Sequence, residues 1–527
     1  MSKDVATHSI NKKTYFVVGF FFLVYLVIGL SIYRHYGLSW DELYQRNLGV
    51  AAREYVAGNS QSLLEAENRY HGQFFNMLKI QAEYTLNALE YPEILFVDHL
   101  VNFLLFYAAV FIFFLLGKRR FGSWQAGLLG STFLVLSPVI FSHSFYNPKD
   151  IPFLAFFTFA VFTLSLVEEK PKLWLVVIHA LFSAAAIGSR VPGIIIPVLT
   201  ISVLVLRQFS DNQPERLPWK RLILLMVIYL VIVIGGTILL YPVVWQDIFS
   251  QFTEAFKVFQ SYENWNSSML FMGQIITSEN IPWYYLPVSI AVTTPPLYLF
   301  LFISGCLYAG FQLLRKPLFQ FTAEKRSLLV DLAWFFGPLI VIIIGHSIVY
   351  DSWRHVFFIY PAFLLISLRG LLGLHTWLKQ RWSQKGALTI FIVILTISFS
   401  ATSVHIIQTH PLEHIYFNFL AGPDLKTAAQ RFEMDYWGLS YRQALEYFYE
   451  NDSAEHLKIK AANRAGEFSI TILNPEAARQ LEFVEDIRDA DYYVTNMPDD
   501  IPADKEAVEV YAVSIKGVKI AVVYQLH

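Results

Sequence analysis

Apolar runs long enough to cross a lipid bilayer recur along most of this chain, and they constrain its fold more than any other feature. A transmembrane helix needs roughly 20 mostly apolar residues. Such runs lie near 15–33, 99–117, 125–142, 151–167, 173–189, 191–206, 222–242, 286–313, 327–349, 355–373 and 387–404, which predicts about eleven spans. Composition agrees, with 55% hydrophobic and only 16% charged residues, where soluble domains carry about 25% charge. A water-soluble fold this apolar would expose greasy surface. The first run follows Lys12 and Lys13 and continues into Tyr33-Arg34-His35-Tyr36 with no small-residue cleavage site. It therefore reads as a retained helix and not as a signal peptide.

Charge predicts the orientation. Basic residues gather in alternate loops: Lys118 to Arg120, Lys170 with Lys172, Arg207 to Arg221, Arg315-Lys316 with Lys325-Arg326, and Lys379, Arg381 and Lys385. The positive-inside rule makes these loops cytoplasmic, so the N-terminus is expected inside and the C-terminus outside. The net charge of −2 carries no signature of nucleic-acid binding, and none is expected. The single cysteine, Cys306, excludes an intrachain disulfide and any Cys-rich metal site.

Three segments then face outward at length: 34–98, 243–285 and the tail from His405. The tail turns polar. Its stretches 467–473, 491–495 and 508–524 read as strands, with helices near 424–432 and 440–450. The expected fold class is an α-helical polytopic membrane protein with amphipathic helices in the outward loops and a small C-terminal α/β domain. The expected domains are a transmembrane domain over 1–410 and an extracytoplasmic one over 411–527. No internal repeat of the kind many transporters show is evident.

Chemistry-bearing residues concentrate at the outward helix ends. Asp41 and Glu42 sit side by side just after the first span, in Trp40-Asp41-Glu42. The plain reading is two acids stabilising the start of an amphipathic helix through its dipole. The functional reading is a general base, because a carboxylate can take the proton of a hydroxyl nucleophile. The short loop around Tyr146, Asn147, Pro148, Lys149 and Asp150 carries more polar groups than a turn needs. Lys149 is a cation on the side where few are expected, suited to Asp41, Glu42 or a phosphate. Arg190 and Arg354-His355 open helices from the same side. Ionisable groups at that depth mark function by default, and arginine grips phosphate with paired hydrogen bonds. The plain alternative is snorkelling to the headgroups. Trp283 and Tyr284 read first as interfacial anchors and second as groove walls for a sugar or prenyl chain. Thr293-Thr294-Pro295-Pro296 should kink its helix. Sequons begin at Asn266 and Asn451, a pattern that chance supplies often. His71, His143, His346 and His355 share no metal-ligand spacing, and His179 reads as a packed core residue.

An acidic pair straight after the first helix, with Asn147-Pro148-Lys149-Asp150, Pro282-Trp283-Tyr284-Tyr285, Arg354-His355-x-x-Phe358-x-Tyr360-Pro361, His410-Pro411 to Tyr416-Phe417-Asn418 and Asp435-Tyr436-Trp437-Gly438, resembles the GT-C superfamily of lipid-phosphate-sugar glycosyltransferases. The resemblance points to the protein O-mannosyltransferase and aminoarabinose transferase branch and to its bacterial members. It covers most of residues 10–445. It implies an inverting transfer from a polyprenyl-phosphate-linked sugar to an acceptor hydroxyl at the outer face of a bacterial inner membrane. Asp41 then matches the catalytic carboxylate and Glu42 its neighbour. Arg354 with His355, Arg190 and Lys149 would hold the donor phosphate, and Asp150, Tyr146, Asn147, Trp283 and Tyr284 would serve the sugar or acceptor. Some members of the superfamily use a divalent metal and others do not, so a metal stays open. The acceptor is equally open among lipid, glycan and protein. The competing class is a transporter or a flippase of lipid-linked sugars, which would spread polar residues through the bilayer midplane.

Overall fold

The computed structural model describes residues 12–210, 216–260, 268–314, 321–452, 454, 456–501 and 506–527. The chain opens with α1 (Lys12–Ile32). A loop follows with the amphipathic α2 (Trp40–Val56), α3 (Ser62–Glu65) and α4 (Phe74–Thr85). Then come α5 (Glu93–Phe121), α6 (Trp124–Val135), α7 (Pro138–Tyr146), α8 (Asp150–Glu169), α9 (Leu173–Ser189), α10 (Ile195–Arg207) and α11 (Trp219–Leu240). The second long loop carries α12 (Ile248–Gln260) and the hairpin β1 (Ser268–Phe271) with β2 (Gln274–Thr277). Next are α13 (Tyr285–Thr293), α14 (Pro296–Leu314), α15 (Ala323–Ile344), a 3-10 turn at Arg354–Ile359, α16 (Tyr360–Arg381) and α17 (Gln384–Thr409).

Among the described residues, eight helices are long and apolar enough to cross a membrane, or nine if the bent pair α6–α7 is one span. The chain is therefore a multi-pass membrane protein, with fewer full-length spans than the eleven expected. The difference lies where the backbone breaks. Pro138 lacks the N–H that would continue α6, and α6 and α7 meet at 71°. Arg190 is extended (φ −155, ψ 137), so the runs 173–189 and 191–206 form two shorter apolar helices. The expected kink at Pro295-Pro296 is a full break between α13 and α14. Asn418 satisfies the freed carbonyls, its Nδ2 donating to Ala291 and Thr294 oxygens at 2.6 and 2.7 Å. At the centre, α8 and α16 are almost wholly enclosed by protein, whereas α1 and α17 turn side chains such as Phe16 and Ile407 outward.

The tail forms α18 (Leu425–Ala429), α19 (Tyr441–Asn451), α20 (Arg464–Phe468) and α21 (Pro475–Gln480) beside one sheet. Its strands are β3 (Leu457–Ala461), β4 (Leu481–Phe483), β5 (Tyr492–Thr495), β6 (Ala507–Ile515) and β7 (Val518–Leu526), in the order β4-β3-β5-β7-β6. The expected strand over 467–473 is instead helical. Asn463 caps α20 by accepting from Ala465 N at 3.1 Å, and the next residues continue as a 3-10 turn. The sequons at Asn266 and Asn451, and the basic Arg315-Lys316, fall wholly or partly outside the described residues.

Candidate active site

Three short elements bring distant residues to one point. The first is the start of α2. Ser39 is its N-cap, and Ser39 N donates to Glu42 Oε2 at 2.7 Å, closing a capping box. His99 Nε2 meets the other Glu42 oxygen at 2.7 Å. Glu42 is thus fully buried and spent on holding the helix start, while its neighbour Asp41 points elsewhere. Gly37 lets this loop touch the tail, since a Cβ there would sit 2.3 Å from Leu439 O. Trp40 N donates to Trp437 O at 3.2 Å across the same seam.

The second element is the α7–α8 loop. Asn147 Oδ1 accepts from the backbone N–H groups of Lys149 (3.1 Å) and Asp150 (2.8 Å), an Asx turn that aims both side chains at the site. The third is the approach to α16. Asp351 and Ser352 are consecutive non-glycine residues with left-handed φ of 54° and 59°. Such strain costs about 1–3 kcal/mol per residue and persists where the surroundings enforce it. Here Tyr285 Oη, 2.9 Å from Ser352 N, helps to hold the turn that delivers Arg354.

The resulting cluster alternates charge. Lys149 Nζ lies 2.7 Å and Arg354 Nη1 3.5 Å from Asp41 Oδ2. Arg354 also reaches Asp150 at 3.4 Å and Asp351 at 2.9 Å, and Arg190 Nη1 meets Asp150 at 2.8 Å. Aromatic faces wall the guanidinium: Tyr350 at 4.8 Å and Trp437 at 5.0 Å. Burial opposes ionisation of Asp41, but Lys149 and Arg354 outweigh it and hold that carboxyl down to about 2. Asp351 goes the other way. Burial pushes it up to about 8, against the pull of Arg354. Burial, with Lys149 and Arg190 nearby, keeps His71 well below its ordinary value and so neutral.

Lys149 and Arg190 face a cavity. Its polar end is Lys149, Arg190, His71 and His355, and its apolar walls include Phe75, Val191, Ile342 and Val349. Gly72 makes the close fit, since a Cβ there would lie 2.2 Å from Gly188 O, which brings His71 beside the Arg190 turn. An anion with an apolar tail fits both ends of such a cavity.

The structure therefore brings together Asp41, Lys149, Asp150, Arg190, Arg354 and His355, with Asn147 as their organiser and Tyr146 buried alongside Trp437 (rings 5.8 Å apart). Trp283 and Tyr284 do not join them and stand 69% and 40% exposed. Sequence reasoning did not place Tyr350, Asp351 or Trp437 on Arg354. For Trp437 the signal was the Asp435-Tyr436-Trp437-Gly438 motif, whose partner lies far away in the chain. His179 is packed as expected, between Thr163 (3.0 Å) and Thr200 (2.8 Å). Among the described residues no group of three or more His, Cys, Asp or Glu side chains is arranged to hold a metal.

The sequence model for dolichyl-phosphate-mannose-protein mannosyltransferase matches residues 95–236. No curated protein matches the sequence. Among solved structures, ArnT from Cupriavidus metallidurans bound to undecaprenyl phosphate is similar at 13% identity, over 97% of this chain and 98% of that one, with a TM-score of 0.51. The oligosaccharyltransferase AglB from Archaeoglobus fulgidus, in complex with an inhibitory peptide and a dolichol-phosphate, aligns at 12% identity over 91% of this chain and 69% of that one, with a TM-score of 0.48. The chain has the GT-C fold, and it resembles the branch of glycosyltransferases that holds ArnT and the protein mannosyltransferases.

Proposed function

We propose, with that fold as premise, that this chain moves a sugar from a polyprenyl-phosphate carrier to an acceptor hydroxyl on the non-cytoplasmic side of a bacterial inner membrane. One observation carries the reading: Lys149 and Arg190 stand at the polar end of a cavity with a mostly apolar lining, and ion pairs through Asp41 and Asp150 tie them to Arg354 just beside it. The prenyl tail would lie along Phe75, Val191 and Ile342. The phosphate would sit among Lys149, Arg190 and Arg354. As the glycosidic bond breaks, charge grows on the leaving phosphate, and fixed cations in a dry site favour that charge in the transition state.

The ion pairs give Asp41 a conditional role. With Lys149 and Arg354 on it, the carboxylate is a weak base, because a useful base has its pKa near the working pH. A phosphate arriving between the cations would draw them off Asp41. Its proton affinity would rise just when the acceptor hydroxyl needs a base. Attack from the Asp41 side, opposite the phosphate, inverts the anomeric centre. Glu42 acts through α2, as a positioning residue, and the tail joins the site through Trp437.

Purified protein given radiolabelled undecaprenyl-phosphate sugars tests the reading. Release or transfer of label that disappears in Asp41→Asn is the expected outcome. Movement of intact lipid across the bilayer without bond cleavage would make the chain a flippase instead.

A further inference from the structure

On the tail side of Arg354 lies a second cavity, apart from the cationic one. Trp437 is 1% exposed there, yet its indole N–H has no partner among the described residues. His414 faces the same space with a side chain 5% exposed. Its Nε2 is 3.1 Å from Asp435 Oδ1, and its Nδ1 is unpartnered. Asp435 is in turn fixed by Gly438 N at 3.1 Å, Ser440 N at 2.9 Å and Ser440 Oγ at 2.5 Å, so His414 is held in one orientation. Two buried polar atoms left open in one cavity are costly unless something binds there.

We infer that this cavity holds the sugar ring of the prenyl-phosphate donor, and that Trp437 and His414, both from the tail, select which sugar is used. The inference rests on the donor reading above and names the part of the ligand that the first cavity leaves unplaced. Arg354 lines the wall of this cavity, and its Nη1 reaches Asp41 and Asp150, the same carboxylates that pair with Lys149 and Arg190 at the polar end of the first cavity. A phosphate gripped by Arg354 places its attached ring within reach of that wall. The lining suits a neutral hydroxylated ring: Trp437, Tyr436 and Phe357 offer flat apolar faces, and the open indole N–H and imidazole nitrogen meet hydroxyls. Arg354 stands in the lining as a fixed cation, so the cavity does not select for a simple cation. A site built to bond a hydroxyl discriminates strongly, because the wrong ring leaves its buried groups unpaired.

The test measures affinity of the full-length protein in nanodiscs for bare undecaprenyl phosphate and for a panel of undecaprenyl-phosphate hexoses. For wild type, at least one hexosyl lipid should bind more tightly than the bare lipid. In His414→Gln that preference should fall about tenfold, while affinity for the bare lipid, which also reports a folded protein, changes less than about threefold; Trp437→Phe, whose ring also walls Arg354, should lower the same preference. Unchanged preference in both variants, or no hexose preferred by wild type, overturns the inference and leaves the donor reading standing. Failure of wild type to bind the bare lipid overturns both. A defect confined to the acceptor's KM would move the cavity to the acceptor and overturn the assignment to the donor.

Discussion

The two ends of α8 and α16 both bury clusters of charge, and they differ in what surrounds them. At one end Asp150, the first residue of α8, and Arg354, before α16, share the cluster with Asp41, Lys149 and Arg190. At the other end, some 27 Å along α8 at 1.5 Å per residue, Glu168 pairs with Arg326 at 2.8 Å. Beside it Asp331 takes Arg369 at 3.1 Å and Arg120 at 3.3 Å. The second cluster lines neither cavity and clamps α5, α8, α15 and α16 together. The first opens onto two cavities, rests on two strained residues and gives one arginine three carboxylate partners. Buried charge thus suits cohesion where it pairs between helices away from both cavities, and recognition where space for a ligand is left beside it.

That contrast can be broken by substitution. Asp41→Asn should reduce transfer about 10²–10⁴-fold with little change in thermal stability. A stability loss that matched the activity loss would assign Asp41 to cohesion after all. Arg369→Ala should do the reverse. It leaves Asp331 underpaired and should cost about 3–5 kcal/mol of stability, read as a large drop in melting temperature, while the surviving protein binds undecaprenyl phosphate normally. Arg190→Ala should weaken undecaprenyl phosphate binding by about 1.5–3 kcal/mol. Equal loss of a neutral polyprenol would show that the apolar walls, and not the cation, had been damaged.

The smallest effect should come from pH. Asp351 is neutral at pH 7, because burial raises it to about 8. As pH rises through that value it ionises beside Arg354 and competes with the phosphate. Lipid phosphate affinity should therefore fall above pH 8, by less than about tenfold, and Asp351→Asn should flatten the fall. A residual loss in the variant would trace to Lys149, whose ammonium burial pushes toward neutrality.

The sequence showed the spans and the polar helix ends because bilayer thickness and charge burial act on local composition. The break at Arg190 was legible, because the arginine interrupts the apolar run, whereas the break at Ser137-Pro138 was not, since hydropathy continues across it. Asp41 was legible from its place after α1. Glu42 looked equivalent to it, and only the capping box and His99 separate their roles. The contacts of Trp437 with Arg354 and of Trp40 with the tail join residues far apart in the chain, a pairing that neither periodicity nor charge pattern encodes. Residues 467–473 alternate like a strand, but the Asn463 cap and burial of Ile472 beneath the outward loop decide for helix.

A photoreactive undecaprenyl phosphate, cross-linked in nanodiscs and mapped by peptide mass spectrometry, tests the central claim most directly. The account predicts adducts on the cavity wall at Phe75, Val191 and Ile342 to Val349, lost when Lys149 and Arg190 are both replaced by alanine. Adducts scattered over the outward faces of α1 and α17, or adducts at the cavity that survive the double substitution, would contradict it.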